Sequence, residues 1–549
     1  MKTSSKFLSL VLTLAMLFSL SVTTVSAADT TTEPVQGDIV VLYTNDVHCG
    51  VDDAVGYAGL AAYRADMLEK TDYVTLVDAG DAVQGAALGT LSRGQYLVDI
   101  MNQMGYDVAV PGNHEFDYGM DQFLALAKAQ KSGYICCNFM DLKTGKPVFD
   151  AYQIITYGET KVAYVGIDTP EAISKSTPTY FQDAKGNYIY GFCQGGDGQD
   201  LYKAVQSAVD AAKAEGADYV IAVGHCGIDE QSAPWRSTDI IANVSGLTAF
   251  IDGHSHSVIP SQTVADKDGK TVILTSTGTK LENIGVVTIK DSAITTECVP
   301  TEGIEIPADS EIATRAAAII AEVDAEYGTV FAKTEVTLNG EKAPGNRTEE
   351  TNLGDLITDA LVWKATQEGE AVDAAITNGG GIRATIEAGD ITKKDINTVL
   401  PFGNTLSIIK ITGSELLEVL EASTFCTPEA IGGFPQVSGI EFTVDTTKAY
   451  DAGEEYPGTT YFAPKSINRV TIQSVGGKDF DPAATYTIAT NDFMASGGDT
   501  YYRFVNATAN YDLGIAMDEV VMQYITEVLG GTVTADKYGE ATGRITVVS

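Results

Sequence analysis

All five histidines of this 549-residue chain stand in short clusters of metal-ligand type. His48 closes Asn45-Asp46-Val47-His48, and His114 sits in Gly112-Asn113-His114-Glu115-Phe116-Asp117. His225 falls in Gly224-His225-Cys226-Gly227, and His254 and His256 in Asp252-Gly253-His254-Ser255-His256. Gly80-Asp81 repeats the layout without a histidine. Neutral imidazole beside carboxylate and amide oxygen is the donor set of a borderline divalent ion. A single histidine is more often a packed or solvated side chain than a ligand. Five of five beside Gly, Asp or Asn point to metal chemistry instead. The candidate ligands are Asp46, His48, Asp81, Asn113, His225, His254 and His256. They exceed the roughly four donors that one tetrahedral ion takes. They suit two ions, about 3.5–4 Å apart.

Each cluster follows an apolar run: Ile39 to Tyr43, Tyr73 to Val77, Asp107 to Val110, Tyr219 to Val223 and Leu247 to Ile251. Short β-branched runs ended by Gly and polar residues read as buried strands. Helical patterns lie between them, over 60–70, 95–104, 120–131 and 199–215. This alternation predicts an α/β fold, with a largely parallel sheet and helices on its faces. In such sheets, sites form outside the carboxyl ends of the strands. The candidate ligands then share one rim.

The details Asn45-Asp46-Val47-His48, Gly112-Asn113-His114-Glu115-Phe116-Asp117 and Gly253-His254-Ser255-His256 resemble the calcineurin-like metallophosphoesterases, and the 5′-nucleotidase family in particular. The resemblance implies a β-sandwich flanked by helices, carrying two metals. It makes Asp81 the bridging carboxylate. Asp46, His48 and His256 match ligands of one ion, and Asn113, His225 and His254 those of the other. Some relatives carry Gln or Asn where this chain has His256. His114 and Asp117 match the catalytic pair.

The C-terminal third has its own helical patterns, over 351–367, 414–423 and 518–529, and strand-like runs at 374–377, 405–411, 469–475 and 485–490. These read as a second α/β domain, joined through a helix over 308–327. Three clusters there could meet a ligand. Asn378-Gly379-Gly380-Gly381-Ile382-Arg383 lets backbone approach closely, as a plain tight turn also does. Leu400-Pro401-Phe402-Gly403-Asn404 and the segment from Asn491 to Asp499 each offer a phenylalanine among turn residues. Taken singly, each Phe is more often core than binding. Together the clusters resemble the nucleotide-binding C-terminal domain of the same family. The resemblance implies that Phe402 and Phe493 sandwich a base, that Asp499 holds the ribose hydroxyls, and that Arg347, Asn378 and Arg383 hold substrate near its phosphate.

Composition narrows the classes. A length of 549 residues with 44% hydrophobic content fits two ordinary globular domains. The net charge of −39 argues against a nucleic-acid-binding surface and fits an exported protein. Lys2 and Lys6, an apolar stretch over 7–20 and Val25-Ser26-Ala27 read as a signal peptide with its cleavage site. The expected organisation is therefore a signal peptide over 1–27 and a metallophosphoesterase domain over 28–307. A linker helix over 308–328 and a 5′-nucleotidase C-terminal substrate-binding domain over 329–549 follow. The mature protein is expected outside the cytoplasm, extracellular or periplasmic, without a stable membrane anchor. Seven cysteines, an odd number, read mostly as small buried hydrophobes.

The expected function is hydrolysis of nucleotide phosphate esters to nucleoside and phosphate, with two divalent ions, Zn or Mn. A 2′,3′-cyclic-nucleotide 2′-phosphodiesterase/3′-nucleotidase and a UDP-sugar hydrolase share these motifs. The non-enzymatic alternative is a surface nucleotide-binding protein.

Overall fold

The computed structural model describes residues 34–195 and 197–549. The signal-peptide reading of residues 1–27 lies outside them. The chain folds as a two-domain α/β protein. Its N-terminal domain is built on two sheets, not one. The first runs in the order Ala293–Pro300, Asn283–Lys290, Ile39–Thr44, Val74–Asp78, Val108–Ala109. The second runs Val258–Ala265, Thr271–Thr277, Ala249–Ile251, Tyr219–His225, Thr160–Asp168, Tyr152–Tyr157. The largely parallel sheet read from the alternation is thus corrected to a pair of mixed sheets, the β-sandwich that the resemblance implied. The five motif-bearing strands do run parallel to a neighbour, three in the first sheet and two in the second. The antiparallel pairings come from the hairpins over 258–300 and from Tyr152–Tyr157 against Thr160–Asp168, none of which carries a site motif.

Alternation along the strands explains the layers. Val41, Tyr43 and Val77 of the first sheet face Tyr164, Val223 and Ile251 of the second in one shared core. Val40, Leu42 and Leu76 point the other way, onto the helices Gly56–Leu68, Gln95–Met104 and Glu311–Tyr327. Val165, Val220 and Ala222 face the helices Gln199–Ala214 and Ser237–Asn243. The helix Glu311–Tyr327 starts at Ser310, whose side chain accepts the Ala313 N–H, an N-cap that satisfies one of the free donors of the first turn. It buries Ile312, Ala316, Ile319 and Val323 in the N-terminal core before the chain enters the second domain.

In the C-terminal domain a five-stranded sheet runs Pro435–Ser438, Ala374–Asn378, Thr485–Asn491, Thr405–Thr412, Ala509–Ala516. The helix Asn352–Gln367 covers one face through Leu353, Ile357 and Leu361. The helix Gly413–Ser423 covers the other through Leu416, Val419 and Leu420. Ala374–Asn378 and Thr485–Asn491 are parallel neighbours, so the Gly379–Gly381 turn and the Phe493 turn leave the sheet side by side.

Candidate metal and nucleotide site

The motif residues of the N-terminal domain converge where the carboxyl ends of both sheets meet. Asp46 and His225 are fully buried, and Asp81 is 2% exposed. The two carboxylates stand among three imidazoles. Asp46 Oδ1 lies 4.0 Å from His48 Nε2, 3.9 Å from His225 Nε2 and 3.5 Å from His256 Nε2. Asp81 Oδ2 lies 3.8 Å from His48 Nε2 and 3.0 Å from His225 Nε2. Two ligand groups result, Asp46 with His48 and His256, and Asp46 with Asp81 and His225. Both carboxylates, not Asp81 alone, are within reach of both sides of the cluster.

Several features show that these donors suit a divalent metal. The other ring nitrogen of each inner histidine is already committed. His48 Nδ1 lies 3.0 Å from the Gln84 carbonyl and His225 Nδ1 2.8 Å from that of Ala79. His254 Nε2 lies 3.1 Å from Glu171 Oε2. Such partners fix the tautomer and leave the opposite nitrogen as a lone-pair donor. The buried Asn113 Oδ1 has no hydrogen-bond partner, and His225 Nε2 has only the Asp81 carboxylate, 3.0 Å away. His48 Nε2 and His256 Nε2 face each other at 3.0 Å. Burial lowers the pKa of both these imidazoles, which keeps them neutral. Burial pushes Asp46 up to about 7, while His225 acts against it. Burial would raise Asp81 too, but His225 and His114 outweigh it and hold the carboxyl well below its usual range.

The backbone is strained to make this cluster. Asp46, His48, Asp81, His254 and His256 all have positive φ, between 46° and 76°. For non-glycine residues such conformations cost about 1–3 kcal/mol each, and they gather where the surrounding structure fixes a functional geometry. Gly112 shows how close the packing is. A Cβ there would stand 2.4 Å from Asp81 Oδ1 and 2.8 Å from His225 Nε2. Glu115, whose partners the motif did not reveal, ties the loops together. Its carboxylate accepts the backbone N–H groups of Asp81, Ala82, Val83 and Gly112 at 2.6–3.3 Å. Asn45 Nδ2 reaches Asp46 Oδ2 at 2.7 Å, and Asn45 Oδ1 accepts from Thr277.

His114 stands at the mouth of the cluster. Its Nδ1 is 2.5 Å from Asp117 Oδ2, and Ser176 Oγ donates to Asp117 Oδ1 at 2.8 Å. Its backbone N–H donates to Asp81 Oδ1 at 2.8 Å. The ring stacks on Phe402, centroids 5.5 Å apart. His114 therefore joins the metal cluster to a second cavity, lined from both domains. Arg347, Asn378, Arg383, Phe402, Phe493 and Asp499 all line it, with His114, Asp117 and Asn113 opposite. Asn378 Nδ2 donates to Asp499 Oδ2 at 2.9 Å and is itself set by Asn491. The Arg383 guanidinium lies 5.6 Å over the Phe402 ring. Burial and the charge of Arg383 pull Arg347 down to about 10. Two crowded guanidiniums favour an anion between them. Lys175 also lines the cavity, from the N-terminal side, and no motif announced it.

Residues 39–258 match the sequence profile of the calcineurin-like phosphoesterases, and residues 330–506 that of the 5′-nucleotidase C-terminal domain. A trifunctional nucleotide phosphoesterase protein of Bacillus subtilis is 29% identical over 541 residues, 90% of this chain. The chain spans 34% of that longer protein. A snake venom 5′-nucleotidase of Crotalus adamanteus is 27% identical, over 89% of this chain and 86% of its own length. The crystal structure of a 5′-nucleotidase precursor from Thermus thermophilus superposes with a TM-score of 0.76 at 26% identity, covering 93% of this chain and 99% of that one. With the phosphoesterase domain leading and the nucleotidase domain following, the chain belongs to the metallophosphoesterases of the 5′-nucleotidase family.

Proposed function

We propose that the protein hydrolyses nucleotide phosphate esters, releasing nucleoside and phosphate, with two divalent ions, Zn or Mn, at the histidine–carboxylate cluster. The observation that carries this reading is the junction at His114, where one side chain borders both the metal cluster and a cavity lined by Phe402 and Phe493. Ions there would supply positive charge and Lewis acidity against the phosphoryl oxygens. In this reading Asp46, His48 and His256 hold one ion, Asn113, His225 and His254 the other, and Asp81 serves both. Phe402 and Phe493 receive the base between their faces, since a π-face accepts any base. Asp499 accepts the ribose hydroxyls, with its carboxylate set by Asn378. Arg347, Arg383 and Asn378 hold the phosphate end. Asp117 fixes the Nδ1 side of His114, which leaves Nε2 to stabilise charge on the phosphoryl group or protonate the leaving oxygen.

Export through the N-terminal segment is part of the same proposal. Among the described residues no helix is long and apolar enough to cross a membrane. The test is a panel of AMP, ATP, UDP-glucose and 2′,3′-cyclic AMP, assayed with Zn or Mn restored after chelation. Phosphate release from AMP that chelator abolishes and metal returns is the expected result. Activity confined to the cyclic substrate or UDP-glucose would move the scissile bond and replace this reading. No turnover of any of the four, with metal bound, would reject it.

A further inference from the structure

The helical turn Ala172–Lys175 follows the strand Thr160–Asp168 and enters the seam between the two domains. Its contacts cross that seam. The Ser174 carbonyl accepts the Asp499 backbone N–H at 2.8 Å, and the Ser174 hydroxyl lies 3.2 Å from that of Thr460. Glu171, 1% exposed, faces two ways. One carboxylate oxygen is 3.1 Å from His254 Nε2, and the other is 3.8 Å from Lys175 Nζ.

Lys175 stands where the nucleoside cavity opens into the metal cleft, and it lines both. Burial would favour loss of its proton, but Tyr461, Glu171 and Asp499 outweigh burial and keep the ammonium charged. An ammonium carries three donors, and with Glu171 on one side and the Tyr461 hydroxyl on another it keeps capacity for a ligand. A substrate that reaches from Phe402 and Phe493 to the Asp46–Asp81 cluster has to pass this group. The phosphate contacts proposed above, Arg347, Asn378 and Arg383, all come from the C-terminal domain. Lys175 is a cation offered to the same cavity from the metal-bearing domain.

We propose that Lys175 is a substrate-binding residue for the anionic ribose–phosphate part of the nucleotide, and that Glu171 is a positioning residue that sets Lys175 and His254 from a single carboxylate. The inference rests on the nucleotide reading above. It makes the metal centre and the nucleotide pocket share one side chain. A compact point charge on a flexible stem suits this task, because it can follow the phosphate while Glu171 holds one side of it.

The test compares wild type with Lys175→Met, Lys175→Arg and Glu171→Gln. AMP, or the best substrate of the panel, is titrated by calorimetry into chelator-treated protein, and KM and kcat are measured after metal is restored. Metal content and Tm are recorded for each. Lys175→Met should weaken binding and raise KM by about 10- to 100-fold, the range for a lost hydrogen bond to a charged group. Its metal content should match wild type, and Lys175→Arg should recover most of the binding. Glu171→Gln should show the same binding defect together with lowered occupancy of one metal. If Lys175→Met lowers Tm, Lys175→Gln makes the same comparison. Binding by the neutral Lys175 variants equal to wild type would overturn the proposal. So would a raised KM that tracks loss of metal content, because Lys175 would then be only a structural tie. A wild type that neither binds nor hydrolyses any nucleotide would instead strike the functional reading.

Discussion

His114 reaches the cleft already oriented. Asp117 holds its Nδ1 at 2.5 Å, Ser176 holds Asp117, and the His114 backbone N–H is tied to Asp81. None of these bonds requires the imidazole to touch an ion. His114→Ala should therefore keep metal content near wild type while kcat falls by about 10²–10⁴, the usual range for a lost acid–base group. Elemental analysis beside steady-state kinetics measures both, and loss of metal in this variant would make His114 a ligand. The histidine clusters were legible in the sequence because each is contiguous and ends in its own chemistry. Glu115 was visible inside its motif, but its work was not. Its partners are backbone N–H groups from residues 81–83 and 112, which leave no side-chain signature. Glu171 and Lys175 were silent for a related reason. Glu171 meets His254 from 83 positions away, and only the folded chain brings them together.

At the scale of elements, the strand ends were legible and their partners were not. A short apolar run followed by Gly and a polar residue marks a buried strand and its carboxyl end, whichever sheet the strand joins. Periodicity does not say which neighbour pairs with it, so the five motif strands read as one sheet when they belong to two. The error leaves the site intact, because both sheets present their carboxyl ends to the same cluster. In the C-terminal domain, the two phenylalanines sit on elements of different kinds. Phe493 is 9% exposed on the turn Asp492–Ala495 and belongs to the hydrophobic core. Phe402 is only partly buried and packs on His114 and Arg383. Phe493→Ala would thus open a core cavity as well as remove a stacking face, at a cost of about 3–5 kcal/mol in stability. Phe402→Ala is the cleaner probe. It should raise the nucleotide KM by about 5- to 150-fold, the equivalent of one base-stacking contact. The KM for an aryl phosphate, which needs no base pocket, should change far less. Equal effects on both substrates would remove Phe402 from the base site.

At the scale of the whole molecule, two electrostatic effects oppose each other. The chain carries a net charge of −39, so a nucleotide anion meets repulsion at long range. Around the cleft the balance is local and reversed. Lys175, Lys342, Arg347 and Arg383 line it, and burial beside the Arg347 charge lowers the pKa of Lys342. Salt separates the two. The screening length falls from about 30 Å at 0.01 M to about 8 Å at 0.15 M ionic strength, while contacts inside a partly buried cleft are screened much less. Raising ionic strength over that range should therefore relieve the distant repulsion first and increase kcat/KM. The gain should be larger for ATP than for AMP, because the more highly charged anion feels more of the repulsion. Stopped assays of both nucleotides at fixed free metal measure the ratio directly. A steady fall of kcat/KM with salt, steeper for ATP, would mean that the cleft cations dominate capture from well outside the site, and that the acidic surface is too far from the entry path to matter.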